Sequence, residues 1–284
     1  MADPRTSGDG KIDLHSHSRA SDGEYSPADV ALRAHAAGLS VWALCDHDTV
    51  AGLAEAAAAA GPLGIRLVPG IELSAFLDRK EIHVLGHFLD PAHPALKAFE
   101  DRLAEHRRWR MGEIVKRLEA LHVHVRAEEI ERFSGGKTIG RPHVARAILA
   151  RGYVATVREA FDRFLGEGMP AFVPRLRLEV AEAVSLVRGA GGTATIAHPA
   201  VSRLDRREVE RARAAGVVGL EVHHADHDPG TRERLLRLAD ELGMVPTAGS
   251  DFHGETVAPD RHLGDVTMPG EDLARLEALR PTIP

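Results

Sequence analysis

Short apolar, β-branched runs alternate with amphipathic stretches in the first and last thirds of the chain. Seven of these runs predict strands, and they start at Lys11, Ser40, Ile65, Glu81, Thr193, Val217 and Met244. Residues 26–38 predict a helix with Ser26 as N-cap before Pro27, and residues 51–61 predict a helix that Gly61 ends. Repeated strand–helix alternation predicts an α/β fold with a largely parallel sheet or barrel.

The middle of the chain has a different pattern. From Pro94 to Leu121 apolar residues recur at helical spacing, and residues 141–152 and 154–166 predict two further helices. We therefore predict two domains. Residues 1–93 and 179–284 would form the α/β body, and residues 94–178 an all-helical insertion.

Composition restricts the class of protein. The chain has 284 residues, of which 44% are hydrophobic and 27% charged, as in ordinary globular proteins. It has no apolar run of 18 or more residues, and its polar first ten residues do not resemble a secretory signal, so no membrane association is expected. A single cysteine, Cys45, is typical of a reducing compartment and predicts a cytoplasmic protein.

The charge is unevenly distributed. A formal net charge of −6 argues against non-specific binding of duplex DNA by the whole surface. Residues 101–179, however, contain 16 Lys and Arg against 11 Asp and Glu. The predicted insertion is therefore the better candidate for contact with an anionic partner.

Side chains that can bind metal ions follow six of the predicted strands. The chain has 17 histidines and one cysteine, so a metal site would use nitrogen and oxygen ligands. Functional groups of α/β barrels gather at one rim, where strands end, and alternation along a strand would place His15 with His17, and Asp251 with His253, on common faces. The candidates are His15, His17, Asp22, His47, Glu72, His83, His198, Asp251 and His253.

Each of these residues alone has an ordinary structural explanation. His15 and His17 could lie on a surface strand, Asp22 could be a turn residue, and His47 could be a hydrogen-bonded core histidine. Together, nine such groups exceed what one ion needs and suit two or three ions bridged by carboxylates. Burying them together without metal would cost several kcal/mol each, on the order of the penalty for unpaired polar groups.

The order of the motifs resembles that of a known family. HSHSRASDG, CDHDT, PGIELS, EIHVLG, AHP and GSDFH are similar to the motifs of the PHP (polymerase and histidinol phosphatase) family. The insertion after EIHVLGHFLD, which contains IGRPHVARAIL, resembles its nucleoside 3′,5′-bisphosphate phosphatase branch, some members of which are also 5′→3′ exonucleases on short RNA. The resemblance implies a distorted (β/α)7 barrel with three divalent ions.

The same resemblance implies how the ions would be held. One ion would bind His15, His17, Glu72 and Asp251. A second would share Glu72 and bind His83 and His198, and a third would bind Asp22, His47 and His253. Many family members have histidine where this chain has Asp22. Because a carboxylate oxygen is a harder ligand than a histidine nitrogen, we expect manganese, with iron, magnesium or zinc as alternatives.

The resulting hypothesis is a phosphatase that removes the 3′-phosphate of nucleoside 3′,5′-bisphosphates by attack of a metal-bridging hydroxide. Asp251, His198 and His224 are the expected catalytic residues. Pro142 can open a helix beside which Arg141 and His143 would bind a second phosphate, and Asp22 and His224 would also contact substrate. The expected partner is a small nucleotide or short RNA.

Three alternatives stay open at this point. The same site could act as a 5′→3′ exoribonuclease on short 5′-phosphorylated RNA ends. A metal-dependent amidohydrolase is a second alternative, although no predicted strand ends in the lysine that such sites often need. A non-catalytic metal-binding module is the third, and it is disfavoured because every expected ligand position is filled.

Overall fold

Seven strands form one sheet that curls into a nearly closed barrel. The computed structural model describes residues 10–134 and 140–282. The strands lie in chain order across the sheet. Backbone hydrogen bonds from Leu14 to Ala248 (3.0 Å) and from His17 to Phe252 (2.8 Å) join the residues that follow the first strand to the last strand and the residues after it. The strands are β1 Lys11–Asp13, β2 Leu39–Leu44, β3 Arg66–Leu77, β4 Lys80–His87, β5 Thr193–Ile196, β6 Gly219–His224 and β7 Val245–Gly249.

The predicted α/β barrel is confirmed, with one difference in strand direction. β4 runs antiparallel to both β3 and β5, whereas the other neighbours are parallel. The cause is a tight hairpin at Asp78, whose φ of 55° turns the chain directly back. Parallel neighbours need a long crossover, but two residues suffice to join an antiparallel pair.

Ten α-helices are present among the described residues. Both helices predicted near the N-terminus are confirmed: the Ser26 side chain accepts from the Asp29 amide, and Gly61 follows the last residue of the second helix. The helices are α1 Pro27–Ala36, α2 Leu53–Ala60, α3 Pro94–Ala120, α4 Ala127–Ser134, α5 Arg141–Ala150, α6 Val157–Ala160, α7 Val180–Gly189, α8 Arg206–Ala214, α9 Pro229–Leu242 and α10 Gly270–Ala278.

The described residues form two compact units. One ends at Lys97 and resumes at Arg177, and the other is Ala98–Leu176. All the regular secondary structure in the described part of the second unit is helical, and a π-helical turn, Phe161–Leu165, continues α6. None of the described helices has the length and apolar character that crossing a bilayer requires.

Each unit has its own apolar core. In the barrel, side chains from several strands pack inside the sheet, among them Leu14, Val41, Val68 and Leu85. In the helical unit, Ile114, Leu118 and Ile148 are completely buried, together with neighbours from α4 and from the π-helical turn. The periodic apolar residues of the middle region therefore bury one face of each helix, as helical spacing predicts.

Candidate metal centre

The chain that leaves β1 brings two histidines together. β1 ends at Asp13, and a single bridge between Ser16 and Phe252 continues the barrel past it. The Nε2 atoms of His15 and His17 lie only 3.1 Å apart. Two ring nitrogens at this distance can both coordinate one cation, whereas they hydrogen-bond only if one of them carries the proton.

The loop that carries Asp22 is held in place by a buried carboxylate. Asp46 accepts from the amide and hydroxyl of Ser18 at 2.8 and 2.7 Å, and from the hydroxyl of Ser21 at 2.6 Å. Asp22 then lies 3.8 Å from both His17 and His47, and 3.4 Å from His253. The sequence marked Asp46 only as a neighbour of His47, so its supporting role is a new observation.

Glu72 lies at the middle of the site. Its Oε1 is 2.9 Å from Nδ1 of His83 and 3.1 Å from Nε2 of His198. Its Oε2 is 3.2 Å from Nε2 of His17 and 3.1 Å from Nδ1 of His47. The two oxygens thus face two different sets of histidines, as a bridging carboxylate would.

Two of the nine residues reach the site differently from the prediction. Glu72 lies within the long strand β3 rather than at its end, and His83 lies in the first half of β4. The hairpin explains both positions. Because β4 is antiparallel, β5 pairs with the second half of β4, from Val84 to His87, and the first half of β4 extends past the carboxyl end of β5, where Ala197 donates to the carbonyl of His83.

Asp251 also departs from the predicted alternation. β7 ends at Gly249, and Asp251 has a left-handed φ of 52°, so strand parity does not apply to Asp251 and His253. Its amide donates to the carbonyl of His15. This bond keeps the side chain within reach of the histidines, and Oδ1 lies 3.3 Å from His15 Nε2 and 3.1 Å from His17 Nε2.

The side chains form three overlapping groups that could hold metal ions. In each group the nitrogen and oxygen atoms lie within 4.8 Å of one another. Compared with the expected sets, the group of Asp22, His47 and His253 gains His17, and the group of Glu72 and His83 has His47 in place of His198, which belongs to none of the three groups. The groups are His15, His17, Glu72 and Asp251; His17, Asp22, His47 and His253; and His47, Glu72 and His83.

Orphaned polar atoms show that these residues fit a cation. Oε2 of Glu72 and Nδ1 of His17 are buried and have no hydrogen-bond partner among the described residues. A buried carboxylate oxygen without a partner is costly, and a divalent ion would satisfy it. The nitrogen and carboxylate donors suit manganese, iron, zinc or magnesium.

The electrostatics of the site reflect a dense mixture of opposite charges. Burial alone would lower the pKa of His17, but the carboxylates of Asp251 and Glu72 beside the ring raise it to about 10. Burial would raise the pKa of Glu72, but His47 and His15 hold it well below its usual range. The carboxylates are thus strongly anionic, which favours cations.

Sequence reasoning missed Glu221, a completely buried carboxylate on β6. Its Oε1 accepts from Nδ1 of His15 at 3.0 Å, and its Oε2 accepts from the amide of His198 at 2.6 Å. The available signal was an acidic residue alternating with the apolar Leu220 and Val222 in a buried strand. Such a residue needs partners, and here they are two residues of the site.

The remaining predicted residues lie in different surroundings. His224 is completely buried, and its Nε2 lies 3.3 Å from Oδ2 of Asp251, so its contact with substrate stays a prediction. Arg141 and His143 are at the start of α5, in the helical unit. Part of the motif around them, residues 135–139, is outside the described residues.

Comparison with known proteins agrees with this geometry. A family model described as the PHP domain matches residues 13–165. A 3′,5′-nucleoside bisphosphate phosphatase of Chromobacterium violaceum is 38% identical over 247 residues, which cover 85% of this chain and 87% of that protein. A 5′-3′ exoribonuclease of Haemophilus influenzae is 36% identical, covering 86% of this chain and 90% of that protein.

Solved structures show the same fold. A Bifidobacterium adolescentis protein, predicted to be a metal-dependent phosphoesterase, has a TM-score of 0.75 and 29% identity over 97% of this chain and 98% of that one. A Chromobacterium violaceum structure described as an amidohydrolase, with bound sulfate and no metal, has a TM-score of 0.73 and 35% identity over 96% and 98%. This chain therefore belongs to the PHP domain family and is an enzyme of the metal-dependent phosphoesterase class.

Proposed function

We propose that the enzyme removes the 3′-phosphate from nucleoside 3′,5′-bisphosphates and releases a 5′-mononucleotide and phosphate. The observation that carries this proposal is the position of Glu72, whose two oxygens face separate sets of histidines at 2.9–3.2 Å. A carboxylate in this position could bind more than one divalent ion, and neighbouring divalent ions would supply the electrostatic stabilisation that phosphoester hydrolysis needs.

We propose three divalent ions, with manganese as the expected metal. The ligands would be His15, His17, Asp22, His47, Glu72, His83, His198, Asp251 and His253. When bound, such ions polarise phosphoryl oxygens and make water nucleophilic near neutral pH. The protein's own contribution is to hold the ligands rigidly: Glu221 orients His15, Asp46 fixes the loop of Asp22, and burial keeps bulk water away from His15, His17, Glu72 and Asp251.

In this proposal the barrel unit is catalytic and the helical unit binds the rest of the substrate, through Arg141 and His143. Arg141 donates to the carbonyl of Leu165 at 3.1 Å and lies over the Phe172 ring, which holds its guanidinium in place. Nδ1 of His143 accepts from the amide of Gly140 at 2.9 Å. His143 therefore fixes the first turn of α5.

A cationic surrounding supports the anion-binding role of Arg141. Burial, together with the nearby charges of Arg141 and Arg175, lowers the pKa of Arg110 to about 10. Nη2 of Arg110 is buried and has no hydrogen-bond partner among the described residues. A phosphate group would relieve the repulsion and satisfy this donor.

A 5′→3′ exoribonuclease acting through the same site is the second candidate. The Haemophilus influenzae relative has that name. Trp109 on α3 is 54% exposed, and its ring lies 5.1 Å from that of His106. Exposed aromatic rings stack on single-stranded bases, so short RNA is a chemically reasonable substrate.

A substrate panel with manganese tests the proposal. Adenosine 3′,5′-bisphosphate, a 5′-phosphorylated RNA trinucleotide and an amide substrate would be compared by following released phosphate, 5′-mononucleotide and amine. We expect rapid phosphate release from the bisphosphate. Mononucleotide release from RNA at a higher kcat/KM than phosphate release from the bisphosphate would favour the exoribonuclease. Turnover of only the amide would contradict both the phosphatase and the exoribonuclease.

A further inference from the structure

Arg261, in the segment after β7, joins two carboxylates with its guanidinium group. Nη2 donates to Oδ2 of Asp226 at 2.6 Å, and Nη1 donates to Oδ2 of Asp251. The side chain is 21% exposed, so most of it is packed against the barrel rim. No pattern along the chain connects Arg261 or Asp226 with the metal centre.

The two oxygens of Asp251 have different surroundings. Oδ1 lies 3.3 Å from Nε2 of His15 and 3.1 Å from Nε2 of His17, inside the first metal group. Oδ2 faces away from that group, and it is contacted by Nε2 of His224 at 3.3 Å and by Arg261. Oδ1 is therefore the oxygen available to a metal, and Oδ2 is the oxygen by which the protein holds the carboxylate.

Asp226 arranges both donors that reach Oδ2. Its amide donates to Nδ1 of His224 at 3.1 Å, so the neutral ring carries its proton on Nε2, where it points to Asp251. Its carboxylate anchors the other half of the Arg261 guanidinium. One loop residue thus sets the tautomer of His224 and the position of Arg261.

The charges are consistent with a permanent contact. The guanidinium of Arg261 is always charged in proteins, and it contacts the carboxylates of both Asp251 and Asp226. Asp251 is buried, and its backbone has a φ of +52°. Without Arg261, Oδ2 of this buried carboxylate would lose its charged partner, which is costly. The bidentate geometry of arginine suits this two-sided contact better than a lysine would.

We propose that Arg261 is a positioning residue of the metal centre: anchored by Asp226, it holds Asp251 in the orientation that turns Oδ1 toward His15 and His17. This inference rests on the proposed function, which supplies the metal ions. A positive charge beside a cation site weakens metal binding by simple electrostatics. An arginine in this place therefore needs a geometric role to be an advantage.

Manganese binding to metal-free protein, measured by calorimetry, separates geometry from charge. If Arg261 positions Asp251, R261Q weakens binding about 10- to 100-fold, the usual effect of losing an outer partner of a metal ligand. R261K, which keeps the charge but loses the two-sided contact, weakens it in the same direction. Binding by R261Q that equals or exceeds that of the natural protein would overturn the proposal.

A double-mutant cycle tests the anchor. D226N should weaken manganese binding in the natural background and add little in the R261Q background, because both changes release the same guanidinium. Fully additive losses would mean that Asp226 acts separately and would overturn this part. The matched control is R33Q, which removes a 3.1 Å ion pair with Glu255 in the same segment and touches no residue of the metal groups. R33Q should bind manganese normally. A loss of binding by R33Q equal to that of R261Q would overturn the proposal.

Kinetics at saturating manganese give an independent readout. A positioning role predicts a lower kcat for R261Q with little change in KM. A raised KM with unchanged metal binding would make Arg261 a substrate contact and overturn the inference. If the natural protein itself bound no manganese, the proposed function would fail; if it bound manganese and R261Q bound it equally, only this inference would fail.

Discussion

Nδ1 of His15 donates to Oε1 of Glu221 over 3.0 Å, in a part of the barrel from which solvent is excluded. This contact fixes the tautomer of His15, because a proton on Nδ1 leaves Nε2 free as a ligand. The other oxygen of Glu221 accepts from the amide of His198, a residue with a left-handed φ of 25°. One carboxylate therefore supports two candidate ligands that lie far apart in the sequence.

We expect Glu221→Gln to weaken manganese binding by about 10- to 100-fold, because the amide keeps the size but not the charge that orients His15. Calorimetric titration of metal-free protein measures this. Glu210→Gln on the exposed face of α8 is the matched control and should bind normally. Unchanged binding by Glu221→Gln would show that the contact is only structural.

Asp251→Asn should remove activity and metal together. The amide presents a neutral oxygen to His15 and His17, so we expect turnover to fall by more than about 100-fold and the metal content to drop. Elemental analysis and phosphate release measure the two effects. Asp78→Asn, an equivalent change on the exposed β3–β4 hairpin, should leave both unchanged, and an active Asp251→Asn enzyme would refute the model.

Arg141→Ala should impair recognition of the second phosphate. Loss of a charge-assisted contact of about 1.5–3 kcal/mol raises KM for the 3′,5′-bisphosphate by about 10- to 100-fold. The KM for a nucleoside 3′-monophosphate, which lacks that group, should stay the same. Arg146→Ala, on the same helix, is the control, and equal effects on both substrates would remove Arg141 from phosphate recognition.

Metal removal should destabilise the folded protein. Ions that bind only the native state stabilise it by about 2.7 kcal/mol when the free metal is 100 times its Kd. A chelator should therefore lower Tm as well as activity, and added manganese should restore both. Thermal unfolding followed by circular dichroism measures the shift, and a Tm that does not respond to the chelator would contradict tight metal binding by the folded state.

His87 predicts a separate pH dependence of stability. It is buried beneath the metal groups, and burial lowers its pKa to about 4, below the 6.5 of an exposed histidine. The unfolded chain binds the extra proton between these values, so stability falls as the pH drops from 6.5 to 4. Glutamine does not titrate in this range. Without metal, the His87→Gln variant should therefore lose less free energy of unfolding between pH 6.5 and pH 4 than the natural protein, by up to about 3 kcal/mol.

Denaturant unfolding of natural and His87→Gln protein at several pH values tests this expectation. The difference between the two proteins isolates His87, because the other histidines titrate equally in both. We expect the difference to shift in favour of the variant as the pH falls. A difference that is constant with pH would mean that His87 is not the responsible group.

Much of the architecture could be predicted from local pattern. The cap at Ser26, the stop at Gly61 and the helices of the middle region depend on neighbouring residues, and the structure confirms them. Strand direction could not be predicted in the same way. An apolar run such as that of β4 is compatible with either direction, and the deciding element is a short turn at Asp78 without a distinctive turn sequence.

The candidate site, too, could be predicted from the sequence only in part. Histidines and carboxylates that follow strands could be recognised from their order along the chain. Glu221, Asp46 and Arg261 could not, because each acts through a contact that only the folded barrel creates. Supporting residues are selected by three-dimensional proximity, and a single sequence contains little information about it.

The three metal groups share members: His17, Glu72 and His47 each belong to two of them. If each group holds an ion, a substitution at any of these three residues would disturb two neighbouring ions at once. Partially loaded forms should be scarce, and the apparent occupancy should rise steeply with metal concentration. Exchanging one ion for another kind without affecting its neighbours should be correspondingly difficult, so the proposed cluster would behave as one inseparable inorganic unit.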